Sequence, residues 1–108
     1  MRTIAIPIFG SRISPRLDLA NNFEIIKIDN NKIVETENIK LVSHNRLEKI
    51  NMIIELKPDV IICDGLSEIC KQEIDKSNIK LIPWIHGEVK NIVKMYLNNQ
   101  LNNPVDKK

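Results

Sequence analysis

Aromatic residues are scarce in this chain: one tryptophan, one tyrosine and two phenylalanines are scattered over 108 residues. Proteins that read single-stranded nucleic acid stack bases on clustered rings, and the sequence holds no such cluster. Neither sign of charge dominates. Sixteen Lys and Arg interleave with fourteen Asp and Glu to leave a net charge of +2, so no nucleic-acid partner is expected. No apolar run approaches the ~20 residues that span a bilayer, and the first residues lack a signal peptide's apolar core and cleavage site. The expectation is a cytoplasmic protein with no membrane partner. With three glycines, neither G-x-G-x-x-G nor a P-loop occurs. Cysteine is limited to Cys63 and Cys70, whose spacing differs from the C-x-x-C of strong metal sites. In a reducing compartment both are expected as thiols.

What the chain does have is aliphatic residues, led by isoleucine, within 43% hydrophobic and 28% charged residues. That balance describes a folded domain, and this length buries roughly two-thirds of the surface of the unfolded chain. "RTIAIPIF" is apolar almost throughout, as a strand covered on both faces should be, with Pro7 expected at its end because proline cannot donate to a ladder. "GSRISPR", Gly10 to Arg16, reads as a loop. "FEIIKID" and "KIVETENIKL" flank Asn30-Asn31 and read as a hairpin, since asparagine tolerates the positive φ of tight turns. One face of the second strand should be wet.

The period then changes. "NRLEKINMIIELK" places Leu47, Ile50, Met52, Ile53 and Ile54 near one helical face, with Asn45 and Glu48 in capping-box spacing. "DVIIC" and "IKLIP" are short strands. Between and after them, Leu66, Ile69, Cys70 and Ile74, and then Val89, Ile92, Val93 and Tyr96, form helical stripes. The order predicts an α/β domain with one five-stranded mixed sheet, a hairpin strand antiparallel, and three helices. The closing stretch "NNQLNNPVDKK" has no apolar face to bury and should fray; the domain should span 1–101, with 102–108 a flexible tail.

In open α/β sheets ligands bind beyond the carboxyl ends of the parallel strands. Three loops meet there, and they carry Ser11, Arg12, Ser14, Arg16, Cys63, Asp64, Gly65, Trp84, His86 and Gly87. Each has a bland alternative. Cys63 ends a buried strand and could simply pack, although a neighbouring helix start would favour its thiolate and a metal-ligating role. Cys70 lies on an apolar stripe and reads as packing. Trp84 is expected to close the rim of the core, and His86 to face the site as a metal ligand or counter-charge, with Gly87 allowing close approach. Arg12 and Arg16 could be plain surface charges. No Ser/His/Asp arrangement is recognisable. A metal nuclease would need carboxylates projecting from central strands, and "RTIAIPIF" has none.

"MRTIAIPIFGSRISPRLDLANNFEIIKID", "DVIICDGLS" and "LIPWIHGEVKNIVKMYL" together resemble the dinitrogenase iron-molybdenum cofactor biosynthesis family of small NifX-like proteins. The resemblance runs from Met1 to about Leu101, and its most specific parts are "GSRISPRLD" and "PWIHGEV". It implies a ribonuclease-H-like fold and a non-catalytic carrier that binds an iron-sulfur or molybdenum-iron-sulfur cluster during cofactor assembly; a relative holds a molybdenum-copper sulfide cluster. The cluster end would be the loop edge, with cofactor-assembly proteins as partners. Many relatives carry His-Phe-Gly after the Ser-Pro of the first loop, where this chain has Arg16, Leu17 and Asp18. Arginine in place of that histidine implies holding by charge and hydrogen bonding. The alternative reading is a regulatory or scaffolding domain that binds a protein partner or small anion and no metal.

Overall fold

The apolar run at the N-terminus forms the central strand, β1 (Arg2–Phe9), in a computed structural model that describes residues 1–101. It is followed by β2 (Arg12–Ile13), a 3-10 turn (Leu17–Leu19), β3 (Asn22–Asp29), β4 (Lys32–Lys40), α1 (Arg46–Glu55), β5 (Val60–Ile62), α2 (Glu68–Asp75), β6 (Lys80–Ile82) and α3 (Val89–Leu97). The strands form one mixed sheet in the order β4-β3-β1-β5-β6, with β2 paired to the end of β1. β3 runs antiparallel to β1 and β4, whereas β5 and β6 are parallel to β1. The sheet therefore has six strands where five were expected. The sixth is the two-residue β2, inside the segment read as loop.

Pro7 also departs from expectation, lying two residues inside the end of β1. Its missing N–H does no harm there. Pairing with β5 covers only Ile4 and Ala5, and β2 takes over at Ile8, with the Pro7 carbonyl accepting from the Ser14 N–H at 2.9 Å.

Both faces of β1 are covered, which is why its sequence does not alternate. Ile4 and Ile6 pack with Ile26, Ile62 and Ile82 beneath Val89, Ile92 and Val93 of α3. Ala5 faces the other way, with Phe23, Ile25 and Ile61, against Ile50 and Ile53 of α1 and Cys70 and Ile74 of α2. Each isoleucine fully withdrawn from water contributes about 1.5–3 kcal/mol, so these two layers carry the fold.

The hairpin turn uses Asn30 and Asn31 at φ 54° and 63°, with Asp29 opposite Lys32. Two consecutive positive φ values suit the right-handed twist of the flanking strands. β4 itself is exposed along nearly its whole length, on both faces rather than one.

Asn45 caps α1 by accepting the Glu48 N–H at 3.0 Å, as its spacing implies. The Glu48 carboxylate does not return to the Asn45 amide. It accepts from the Ser43 hydroxyl, whose oxygen in turn receives the Asn45 N–H. Two stripe residues turn out to face solvent: Leu47 and Ile69 are each half exposed, while Lys49 is buried beside Ile50 and Ile53. Among the described residues neither α1 nor α2 is covered on its outer side, so only part of each apolar stripe finds a partner.

After α3, Asn99 at φ 58° turns the chain and Leu101 returns to the α3-side core, 8% exposed. The expectation that the terminal segment buries nothing is corrected at this residue. The rest of the expected tail, 102–108, lies outside the described residues. Among the described residues no helix is long and apolar enough to cross a membrane.

Candidate functional site

The three expected loops do meet at the carboxyl ends of β1, β5 and β6, and main-chain hydrogen bonds join them. Gly10, at φ 66°, turns β1 into β2 and places Arg12 opposite Phe9. The Ile13 N–H then donates to Gly87 O, and the Val89 N–H to Ser11 O, both at 3.0 Å, tying the first loop to the start of α3. On the other flank Gly65 N–H donates to Pro15 O at 3.0 Å, and Leu17 N–H to Gly65 O at 2.8 Å. The last two loops join through Ile85 N–H to Cys63 O and Trp84 N–H to Asp64 O, at 2.9 and 3.1 Å. Each segment thus satisfies buried backbone groups of the next.

Gly65 marks the closest approach. A Cβ there would lie 3.0 Å from Pro15 O, 3.3 Å from Arg16 Cδ and 3.7 Å from Trp84 Cζ3. The Arg16 stem and the Trp84 ring therefore both stand over one bare stretch of backbone. Arg16 donates from Nε to Asp18 Oδ1 at 3.2 Å and from Nη2 to Oδ2 at 3.0 Å. Arg12 pairs with Glu88 at 3.5 Å, both largely exposed, so this contact contributes little. Ser11 is exposed, whereas Ser14 is buried and its hydroxyl donates to Arg16 O at 3.3 Å. His86 is exposed at the same edge, next to Gly87 at φ 125°.

Two expectations about this edge are corrected. Trp84 does not close the rim of the core: it is 62% exposed at φ 65°, and that left-handed backbone turns it outward while Ile85 packs against the α3-side core instead. Cys63 does not offer an accessible thiolate. It is fully buried, and four residues separate it from the start of α2, too far to feel that helix terminus. Burial pushes its thiol well up, and Cys70, Asp64 and Asp18 add to the effect. Cys70 packs as expected, its thiol pushed up to about 12 by burial and Asp18, partly opposed by Arg16 and Arg46. Both cysteines are free. At the start of α3 the Val89 N–H is already bonded to Ser11 O.

Sequence reasoning passed over three charged residues. Asp18, with its side chain fully buried, joins Arg16 to Arg46, whose Nε lies 3.5 Å from Oδ2. Lys49, also buried, donates from Nζ to Ala20 O and Asn21 Oδ1, both at 2.6 Å, and desolvation lowers its pKa. Nothing in composition marks such residues as interior, because charges are normally surface groups. Among the described residues no three His, Cys, Asp or Glu side chains gather closely enough to hold a metal ion. The edge can instead offer guanidinium groups, one imidazole and an aromatic face.

The fold recurs in solved structures at low identity. The protein PH0822 superposes with a TM-score of 0.86 at 14% identity, covering 98% of this chain and 99% of that one. A candidate dinitrogenase of Methanocaldococcus jannaschii gives 0.79 at 22%, covering 95% and 97%. The apo form of the orange protein from Desulfovibrio gigas gives 0.76 at 18%, covering 95% and 92%. No curated protein matches the sequence significantly. Residues 1–99, which include every element and all three loops described above, match the sequence profile of the dinitrogenase iron-molybdenum cofactor family. The chain belongs to the dinitrogenase iron-molybdenum cofactor family.

Proposed function

We propose that this protein is a non-catalytic carrier of an anionic metal-sulfur cluster, of iron-sulfur or molybdenum-iron-sulfur type, in metallocofactor assembly. The observation that carries the reading is the gathering of Arg12, Arg16, Trp84 and His86 on one exposed edge, in a chain of this family. Such an edge suits a bound anion: guanidinium groups donate in a fixed fork, and the joined loops need little rearrangement. With Cys63 buried and protonated, charge and hydrogen bonding from Arg12, Arg16 and Ser11 do most of the holding. His86 is the one side chain there able to ligate iron while neutral. Gly87 allows the cargo close to the backbone, whereas Gly65 is buried beneath Arg16 and Trp84 and serves to let the loops close on one another. Transfer to and from cofactor-assembly proteins follows from a carrier role. The ribonuclease-H-like description of the fold belongs to the same proposal, supported by the order β4-β3-β1-β5-β6 with β3 reversed.

The test is cargo retention. Protein purified strictly without oxygen, or loaded with tetrathiomolybdate as a soluble anionic metal sulfide, should retain metal and sulfide through gel filtration. Arg12→Ala, His86→Ala and His86→Gln should each lower retention without lowering the melting temperature, and Arg16→Ala should lower retention together with some stability, because it leaves the buried Asp18 carboxylate with Arg46 alone. Full retention in all four would place the cargo elsewhere and end this reading.

One observation favours the alternative of a regulatory or scaffolding domain. Leu19, Leu47 and Ile69 are each about half exposed around a hollow of about 430 Å³ that also touches His44 and Arg46. Three large apolar side chains around one hollow suit a protein partner. Protein that carries no metal after anaerobic purification and rejects tetrathiomolybdate would favour it.

A further inference from the structure

The geometry points to Asp18 as the positioning residue of the anion edge: its buried carboxylate fixes the Arg16 guanidinium, and Arg46 keeps that guanidinium from being neutralised. The inference rests on the proposed carrier function and says how its edge recognises negative charge.

Asp18 lies in the 3-10 turn after the first loop, with a side chain of zero exposure. An ionised carboxylate in such a place needs compensating partners. Arg16 supplies two of them in a forked contact from Nε and Nη2, which sets the plane of the guanidinium. The Arg16 stem is held as well, because Cδ passes over Gly65 at a distance a methyl group would crowd. Held at both ends, the side chain loses little freedom when an anion arrives. Nη1 makes no hydrogen bond among the described residues, so its two N–H groups are free to donate outward.

Charge counting shows why a second arginine matters. A lone Asp18–Arg16 pair would be neutral and a poor lure for an anion. Arg46, approaching Oδ2 from α1, makes two cations to one carboxylate and leaves the triad at +1. Asp18 therefore orders Arg16 without cancelling it.

Two simple expectations for Asp18→Asn have opposite signs. If Asp18 acted only as a nearby negative charge, its removal would strengthen binding of tetrathiomolybdate. If it positions Arg16, binding should weaken about tenfold, as when a charge-assisted fork is lost, although the protein gains positive charge. The double variant Asp18→Asn with Arg46→Gln restores the wild-type net charge and should bind as weakly. The Arg16 Nε–H resonance reads the positioning without any ligand: dispersed and slowly exchanging in the wild type, averaged toward free arginine in Asp18→Asn. Binding at wild-type strength or tighter in either variant overturns the inference, and so does an averaged Arg16 signal in the wild type. An ordered Arg16 in wild-type protein that fails to bind the probe overturns the carrier function and leaves the Asp18–Arg16 lock standing.

Discussion

Replacing Gly65 with alanine probes the tightest point of the loop edge. The new methyl would sit 3.0 Å from Pro15 O, a distance at which backbone must yield, and 3.3 Å from Arg16 Cδ, which can swing aside. Yielding is resisted, because Pro15 O accepts the Gly65 N–H and Gly65 O accepts the Leu17 N–H. Overpacking of this kind costs about 1–3 kcal/mol. Gly65 is not among the residues at positive φ, so the smaller entropy of an unfolded alanine chain returns roughly 0.4–1 kcal/mol. The net expectation is a loss of about 1–2 kcal/mol, or a melting temperature lower by roughly 5–10 °C. Urea unfolding followed by far-ultraviolet circular dichroism measures it. The fluorescence of Trp84, whose ring the methyl would approach to 3.7 Å, reports whether the edge itself has shifted. A Gly65→Ala protein as stable as the wild type, with unchanged Trp84 emission, would refute the claim that the loops are locked at this glycine.

Four further outcomes follow from packing, capping and ionisation. Both thiols have raised pKa values in the folded protein against 9.0 when unfolded, so their contribution to stability is complete below pH 9.0 and declines as pH rises through the raised values. The alkaline loss of stability, read as urea midpoints from about pH 8 to 11, should therefore be smaller in Cys70→Ala than in wild type, and an identical loss would contradict the assignment. Neither cysteine should react with a thiol reagent at neutral pH faster than the protein unfolds. Leu101→Ala should cost about 2 kcal/mol in denaturant unfolding, because a residue near the end of the chain closes the core beneath α3. Asn45→Ala should cost about 1 kcal/mol by the same assay through loss of the α1 cap, and a neutral result would mean that Ser43 alone sustains the helix start.

The parts of the fold that were legible in sequence are those decided locally. Asn30-Asn31 set the hairpin because few other residues accept two positive φ values in succession, and Asn45 with Glu48 marked the start of α1. The uninterrupted apolar character of "RTIAIPIF" announced a strand covered on both faces. Other features depend on distant partners. β2 exists only because Ile8 and Phe9 run past the end of β5, and Leu47 and Ile69 lack cover because, among the described residues, nothing packs outside α1 and α2. At the edge, the meeting of the three loops followed from topology, whereas the outward turn of Trp84 depends on a backbone angle that tryptophan rarely adopts. The inward turn of Asp18 and Lys49 depends on partners that sequence spacing does not display.

The long, open β4 has a consequence for crowding in the cell. An edge strand of nine residues that none of the described residues covers is a template on which a second chain could extend the sheet. Laid antiparallel against its own copy about a two-fold axis at Thr36, however, β4 would set Lys32 opposite Lys40 and Glu35 opposite Glu37. Moving that axis by one residue along the strand brings Glu35 or Glu37 against itself. Like charges directly opposite destabilise a ladder, so the strand discourages sheet-to-sheet aggregation of identical molecules without a proline or a cap.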